Sequence, residues 1–109
     1  MASVLVALIS SPETPVGQRA LSLVECLVVQ GHAVTLCCVQ DAALLGSSRA
    51  PQHSRATLDR LLGAGVRCMV LGEDLALRGL EPGPAVSMVD HVGLATMLAA
   101  EHDRIIGAF

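Results

Sequence analysis

A chain of 109 residues has the length of one domain, and with Phe109 as its single aromatic residue the core must be built from Leu, Val, Ala, Ile, Met and Cys. Net charge is −3, lysine is absent and the seven arginines are scattered, so neither a basic patch nor stacking aromatics point to direct nucleic-acid binding. No apolar run approaches the ~18 residues of a membrane span. Val4–Ile9 has no basic residue before it and is too short for a signal peptide. A cytoplasmic location with four reduced cysteines is the expectation. At 52% hydrophobic residues the chain carries more apolar surface than a small monomer can hide, which predicts a subunit interface.

Residues 3–10 form a continuous apolar, β-branched run, the pattern of a buried parallel strand. Ser11-Pro12-Glu13-Thr14-Pro15 breaks it, and residues 17–30 read as a helix stopped by Gly31. A second strand is predicted over 33–39, a short helical turn over 41–45, and a loop of breaker residues over 46–51. Residues 52–64 predict the next helix, with Arg55 and Asp59 spaced for an i,i+4 pair. Gly65 ends it, and a third strand runs over 66–71. Residues 73–78 suit one helical turn before Gly79. After the turn at Pro82-Gly83-Pro84 a short strand is predicted over 86–89, with Asp90 as helix N-cap. A helix over 91–102 and a last strand over 104–108 complete the chain.

Strands that alternate with helices predict one α/β domain, residues 1–109, with three α/β/α layers and a mostly parallel five-stranded sheet of flavodoxin-like appearance. Two helices are apolar nearly all round, and in the one following Asp90 the residues Val92, Leu94, Ala95, Met97, Leu98, Ala99 and Ala100 leave almost no polar face, so a second subunit is expected to cover it.

Residues 70–80, Val-Leu-Gly-Glu-Asp-Leu-Ala-Leu-Arg-Gly-Leu, combine a strand ending in Leu with an acidic pair and then Leu-x-x-Arg-Gly. A short strand ending in Val89-Asp90, an apolar helix and a terminal strand follow, while Glu25-Cys26-Leu27 and Asp41 stand upstream. This series resembles the DsrE/DsrF/DsrH sulfur-relay superfamily, most nearly its DsrH/TusB branch, over most of the chain. The resemblance marks Asp74, Arg78, Gly79 and Asp90 as structural motif residues. It implies persulfide transfer and, as partners, DsrE/DsrF-like subunits or further copies of the chain, with a small sulfur-carrier protein as donor or acceptor. The chain departs from the family pattern where it has His91 for a common Tyr and Phe109 for a terminal Trp, and its Ser11–Cys26 segment is longer than in DsrH. In DsrE/TusD-type subunits the sulfur-carrying cysteine precedes Arg-Gly by about two helical turns, and counting back from Arg78-Gly79 reaches Leu71.

Persulfide transfer needs an accessible thiolate. On a helical wheel Ala20, Leu21, Leu23, Val24, Leu27 and Val28 form the apolar face, and Cys26 falls opposite, beside Ser22 and Arg19. Cys26 is therefore the candidate catalytic residue. Glu25 beside it, and its place near the negative end of the helix dipole, weigh against reactivity. Cys37 and Cys38 point to opposite faces of a covered strand, and Cys68 faces away from the side of Leu71, so all three read as core residues. His32, His53, His91 and His102 are separated and no cysteine or histidine pair has zinc spacing, so no metal and no cofactor is expected. His91 could poise a thiol at the sheet's C-terminal edge, although a solvated histidine at a helix start is the commoner arrangement.

Three functions fit. In the first the chain is an accessory, DsrH/TusB-like subunit of a sulfur-transfer complex. In the second it is a sulfurtransferase-type carrier acting through Cys26. In the third it is a small-ligand-binding α/β module without sulfur chemistry, whose residues 10–17 would cradle a phosphate at a helix N-terminus.

Overall fold

The structure, a computed structural model, describes residues 2–100 and 102–107. Five strands, β1 (Ser3–Leu8), β2 (Ala33–Cys38), β3 (Arg67–Leu71), β4 (Ser87–Val89) and β5 (Arg104–Ile106), form one parallel sheet in the order β4-β3-β2-β1-β5. The helices between them are α1 (Pro15–Val29), α2 (Gln52–Gly63), α3 (Gly72–Leu77) and α4 (His91–Ala99), with a 3-10 turn over Gln40–Leu44. The architecture is the α/β one that the alternating pattern predicts.

Right-handed crossovers decide which face each helix covers. The connections from β1 to β2 and from β2 to β3 step in one direction and place α1 and α2 on one face. There Val4, Val6, Leu8, Val34, Leu36, Cys38, Cys68 and Val70 form a common core with Ala20, Leu21, Val24, Leu58 and Leu61. The connection from β4 to β5 runs back across the whole sheet, so α4 lies on the other face, over the side that carries Leu5, Cys37 and Leu71. Its first turn sits against Val89, whose Cβ is 3.5 Å from where a Cβ on Gly93 would stand.

Three expected details differ. The helix after Asp90 stops at Ala99, and Ala100 is extended. Asp103 is needed outside the helix, because its carboxylate accepts from Ser3 N at 2.7 Å and its own N–H donates to Ser3 O at 2.9 Å, which sets β5 against β1. Of the predicted last strand, residues 104–106 are extended and Ala108 lies outside the described residues. Finally, Arg55 does not pair with Asp59. Its guanidinium turns inward and donates to the Ser47 carbonyl at 2.6 Å, tying α2 to the loop before it.

Gly31, Gly65 and Gly79 end their helices as expected, each with positive φ. At Gly79 (φ 64°) the Gly79 N–H donates to Ala76 O and the Leu80 N–H to Leu75 O, the paired bonds of a Schellman cap. A Cβ there would meet nothing within 4 Å, so the cost of substitution is conformational alone. Gly79→Val is expected to lose about 1–2 kcal/mol, read as a fall of several degrees in the thermal midpoint. An unchanged midpoint would mean that the left-handed turn is not populated.

Candidate functional site

Parallel strands all end at the same side, and side chains that follow them meet there. Two clusters form at this C-terminal edge. In the first, Gln40 leaves β2 with φ 54°, a conformation unusual for a residue with a side chain. Its N–H donates to Asp74 Oδ2 at 2.6 Å. Arg78 extends back along α3, donating to the Asp74 carbonyl at 3.1 Å and to Asp41 Oδ1 at 3.0 Å, with the Asp74 carboxylate 3.7 Å away. The Leu-x-x-Arg-Gly segment thus locks the exit of β2 to the helix after β3. Removing the carboxylate in Asp74→Ala leaves Gln40 N–H and Arg78 short of an acceptor. We expect a loss of about 2 kcal/mol, the scale of a hydrogen bond to a charged group, measured as a lower urea midpoint. A variant as stable as wild type would mean that the tie carries no load.

In the second cluster Glu73 Oε1 and His91 Nδ1 are 2.6 Å apart, both exposed, beside an open groove lined by Gly72, Met88, Val89, Asp90 and Gly93. Asp90 is occupied as the N-cap of α4, accepting from Gly93 N at 2.7 Å. His91 therefore meets a carboxylate here and no thiol. The pairing was not foreseen, although Glu73 and His91 each stand two residues past the ends of neighbouring strands. Knowing that β3 and β4 pair would have found it.

The thiols lie elsewhere. Leu71 occupies the end of β3, buried at 5% exposure. Cys37, Cys38 and Cys68 are buried and Cys26 is exposed, as the wheel and the strand alternation predict. Burial pushes the Cys37 thiol up to about 11, and Cys68 adds to the effect. Cys38 is also raised well above the ordinary thiol range, first by its hydrogen bond with Cys68, whose sulfur is 3.9 Å away, and then by burial. These are neutral core groups, and the pairing of Cys38 with Cys68 across β2 and β3 was not anticipated.

Cys26 is in the last turns of α1, which runs antiparallel to the strands, so it sits toward the N-terminal edge of the sheet, away from both clusters. A shallow groove of Ser22, Glu25, Val29 and Gln30 surrounds it. Glu25 turns away to Arg60 of α2 at 2.8 Å. The loop before α1 closes on itself. Thr14 Oγ1 donates to Ser11 O and accepts from Gly17 N, while Gln18 N donates to Thr14 O and its side-chain amide to Pro12 O. The amides proposed for a phosphate are thus partly taken by the loop itself.

Searches with protein-family models and against curated proteins give no match. Solved structures do match. The ychN protein of E. coli superposes with a TM-score of 0.82 at 20% identity, covering 99% of this chain and 100% of that one. The fold is that of the ychN protein. A protein of unknown function from Methanobacterium thermoautotrophicum follows the same path, with a TM-score of 0.72 at 14% identity, over 94% of this chain and 98% of that one. At these identities the likeness is one of fold.

No helix among the described residues is long and apolar enough to cross a membrane, and no group of three His, Cys, Asp or Glu side chains among them could hold a metal ion.

Proposed function

We propose that the chain is an accessory subunit of a cytoplasmic sulfur-transfer complex, of DsrH/TusB-like type, which positions partner subunits and does not itself carry sulfur. The observation that supports this reading most is the distribution of thiols. The C-terminal edge, where loops and side chains converge, offers two ion-paired clusters and no accessible cysteine, with Leu71 at the end of β3. The partners would be DsrE/DsrF-like subunits or further copies of this chain, and the donor or acceptor a small sulfur-carrier protein.

A second reading is favoured by one observation: Cys26 is exposed and could accept a persulfide sulfur directly. Cys26→Ser separates the two. In a complex reconstituted with DsrE/DsrF-like subunits, an accessory role predicts unchanged assembly and a sulfur-transfer rate within about twofold of wild type, since a residue outside the reaction removes no transition-state interaction. A rate that collapses with intact assembly would make Cys26 the carrier.

A further inference from the structure

The ends of β3 and β4 lie side by side, with Leu71 in register with Val89. From there the chain leaves in two directions. After β3 it turns to the face of α1 and α2, where Leu75 of α3 joins the common core. After β4 it turns to the opposite face, where α4 begins with Asp90 as its N-cap. Neighbouring strands whose connections part in this way leave a crevice beyond their ends, which is where open α/β sheets take their ligands. The groove of Gly72, Glu73, Met88, Val89, Asp90 and Gly93 is that crevice. Glu73 and His91 stand at it, each two residues past the paired strand ends, and both are exposed.

The pair is arranged to move a proton. Glu73 Oε1 and His91 Nδ1 are 2.6 Å apart. An ionised carboxylate only accepts, so Nδ1 carries the hydrogen, and in the neutral ring the lone pair is on Nε2. Nε2 makes no hydrogen bond among the described residues. The carboxylate fixes this tautomer and stabilises the imidazolium that forms when Nε2 takes a proton. The chain brings no thiol to this edge: Cys37, Cys38 and Cys68 are buried, and Cys26 lies toward the other end of the sheet. The proton must therefore come from another molecule. A cysteine thiol ordinarily lies about 2 units from an imidazole in acidity, close enough for transfer, whereas a serine or threonine hydroxyl is far too weak an acid. Met88, 59% exposed, and Val89 give the crevice an apolar wall that suits a thiol.

We propose that Glu73 and His91 form a general-base dyad for a cysteine thiol presented by another protein chain, with His91 as the catalytic residue and Glu73 as the residue that positions it. This rests on the accessory reading, in which the thiol is that of the sulfur-accepting carrier protein and the persulfide stands on a partner subunit. Nε2 takes the proton of the acceptor thiol, and the imidazolium so formed stands between the thiolate and the Glu73 carboxylate. The thiolate attacks the outer sulfur of the persulfide. The S–S bond of the donor breaks as the new S–S bond forms, and the released donor thiolate recovers the proton from Nε2. The sulfur changes carrier, the protons balance and no oxidant is consumed. At about pH 7 a thiol that ionises near 8.5 is only about 3% thiolate, so the dyad can raise the rate by up to about thirtyfold. The chain thus takes part in the chemistry without carrying sulfur.

Sulfur transfer in the reconstituted complex tests the dyad, timed by the mass gain of the acceptor at about pH 7 with the acceptor saturating. His91→Ala is expected to assemble normally and to transfer sulfur at least about fivefold more slowly than wild type. Because the crevice is open, added imidazole should restore most of that loss while leaving wild type unchanged. Glu73→Ala should slow the wild-type complex by a smaller factor and have no further effect in His91→Ala, since a residue that acts through His91 then has nothing to act through. The dyad is overturned if His91→Ala matches wild type, if imidazole fails to rescue it, or if Glu73→Ala slows His91→Ala as well. The mass of this chain, read in the same samples, decides the accessory reading separately: sulfur on it removes that reading, whereas the variant rates decide the dyad.

Discussion

Gly17→Ala is expected to be the most damaging single-methyl change in the molecule. A Cβ at this position would lie 2.1 Å from the Ser11 carbonyl oxygen and 3.0 Å from Pro12 Cα, both backbone atoms. Relief would require the loop to move, yet Pro12 is fully buried and Thr14 holds the same loop at both Ser11 O and Gly17 N. Overpacking of this kind costs at least about 3 kcal/mol. In a domain of this size that corresponds to a thermal midpoint lower by more than about 12 °C. Gly79→Val, where space is open and only the backbone conformation resists, should cost less. A Gly17→Ala midpoint within about 4 °C of wild type, less than ~1 kcal/mol on this scale, would show that helix α1 does not start where it is placed.

Alkaline pH should destabilise the protein through two buried thiols. The chain has neither lysine nor tyrosine, so cysteines are the side chains that titrate between about pH 8.5 and 11. In the unfolded chain a thiol loses its proton near pH 8.5. In the folded chain Cys37 keeps its proton up to about 11, and Cys38 is raised as well. Over that window the unfolded state binds fewer protons than the folded one, so stability falls as pH rises. The stabilisation is whole below the unfolded value and is lost on the way up to the folded one. For Cys37 alone the loss reaches about 3 kcal/mol by pH ~11, at 1.36 kcal/mol per unit. Urea midpoints should fall steadily above pH ~8.5, and Cys37→Ala should flatten the decline. A level profile would mean that Cys37 and Cys38 reach solvent.

Much of this was legible in the sequence because local patterns decided it. The continuous apolar run after Ser3 fixed β1, glycines at 31, 65 and 79 fixed three helix ends, and the wheel separated Cys26 from the core. What stayed hidden was set by strand pairing, which leaves little local trace. The order β4-β3-β2-β1-β5 brings Glu73 to His91, Asp41 to Arg78 and Cys38 to Cys68, over separations of 18, 37 and 30 residues. Arg55 was misread for a related reason. The i,i+4 rule supplied Asp59 as a partner, but the carbonyl of buried Ser47, in the loop before α2, competes successfully for the guanidinium. The end of α4 was overextended because residues 100–102 look helical in composition, while Asp103 after them holds β5 against Ser3.

The measurement that tests the accessory reading most directly is the intact mass of this chain, recovered from the reconstituted complex after incubation with a competent persulfide donor. The account predicts no added sulfur on this chain while a partner subunit gains ~32 Da, the mass of one transferred sulfur atom. A gain of that size on this chain, present in wild type and abolished in Cys26→Ser, would contradict it and identify Cys26 as a carrier.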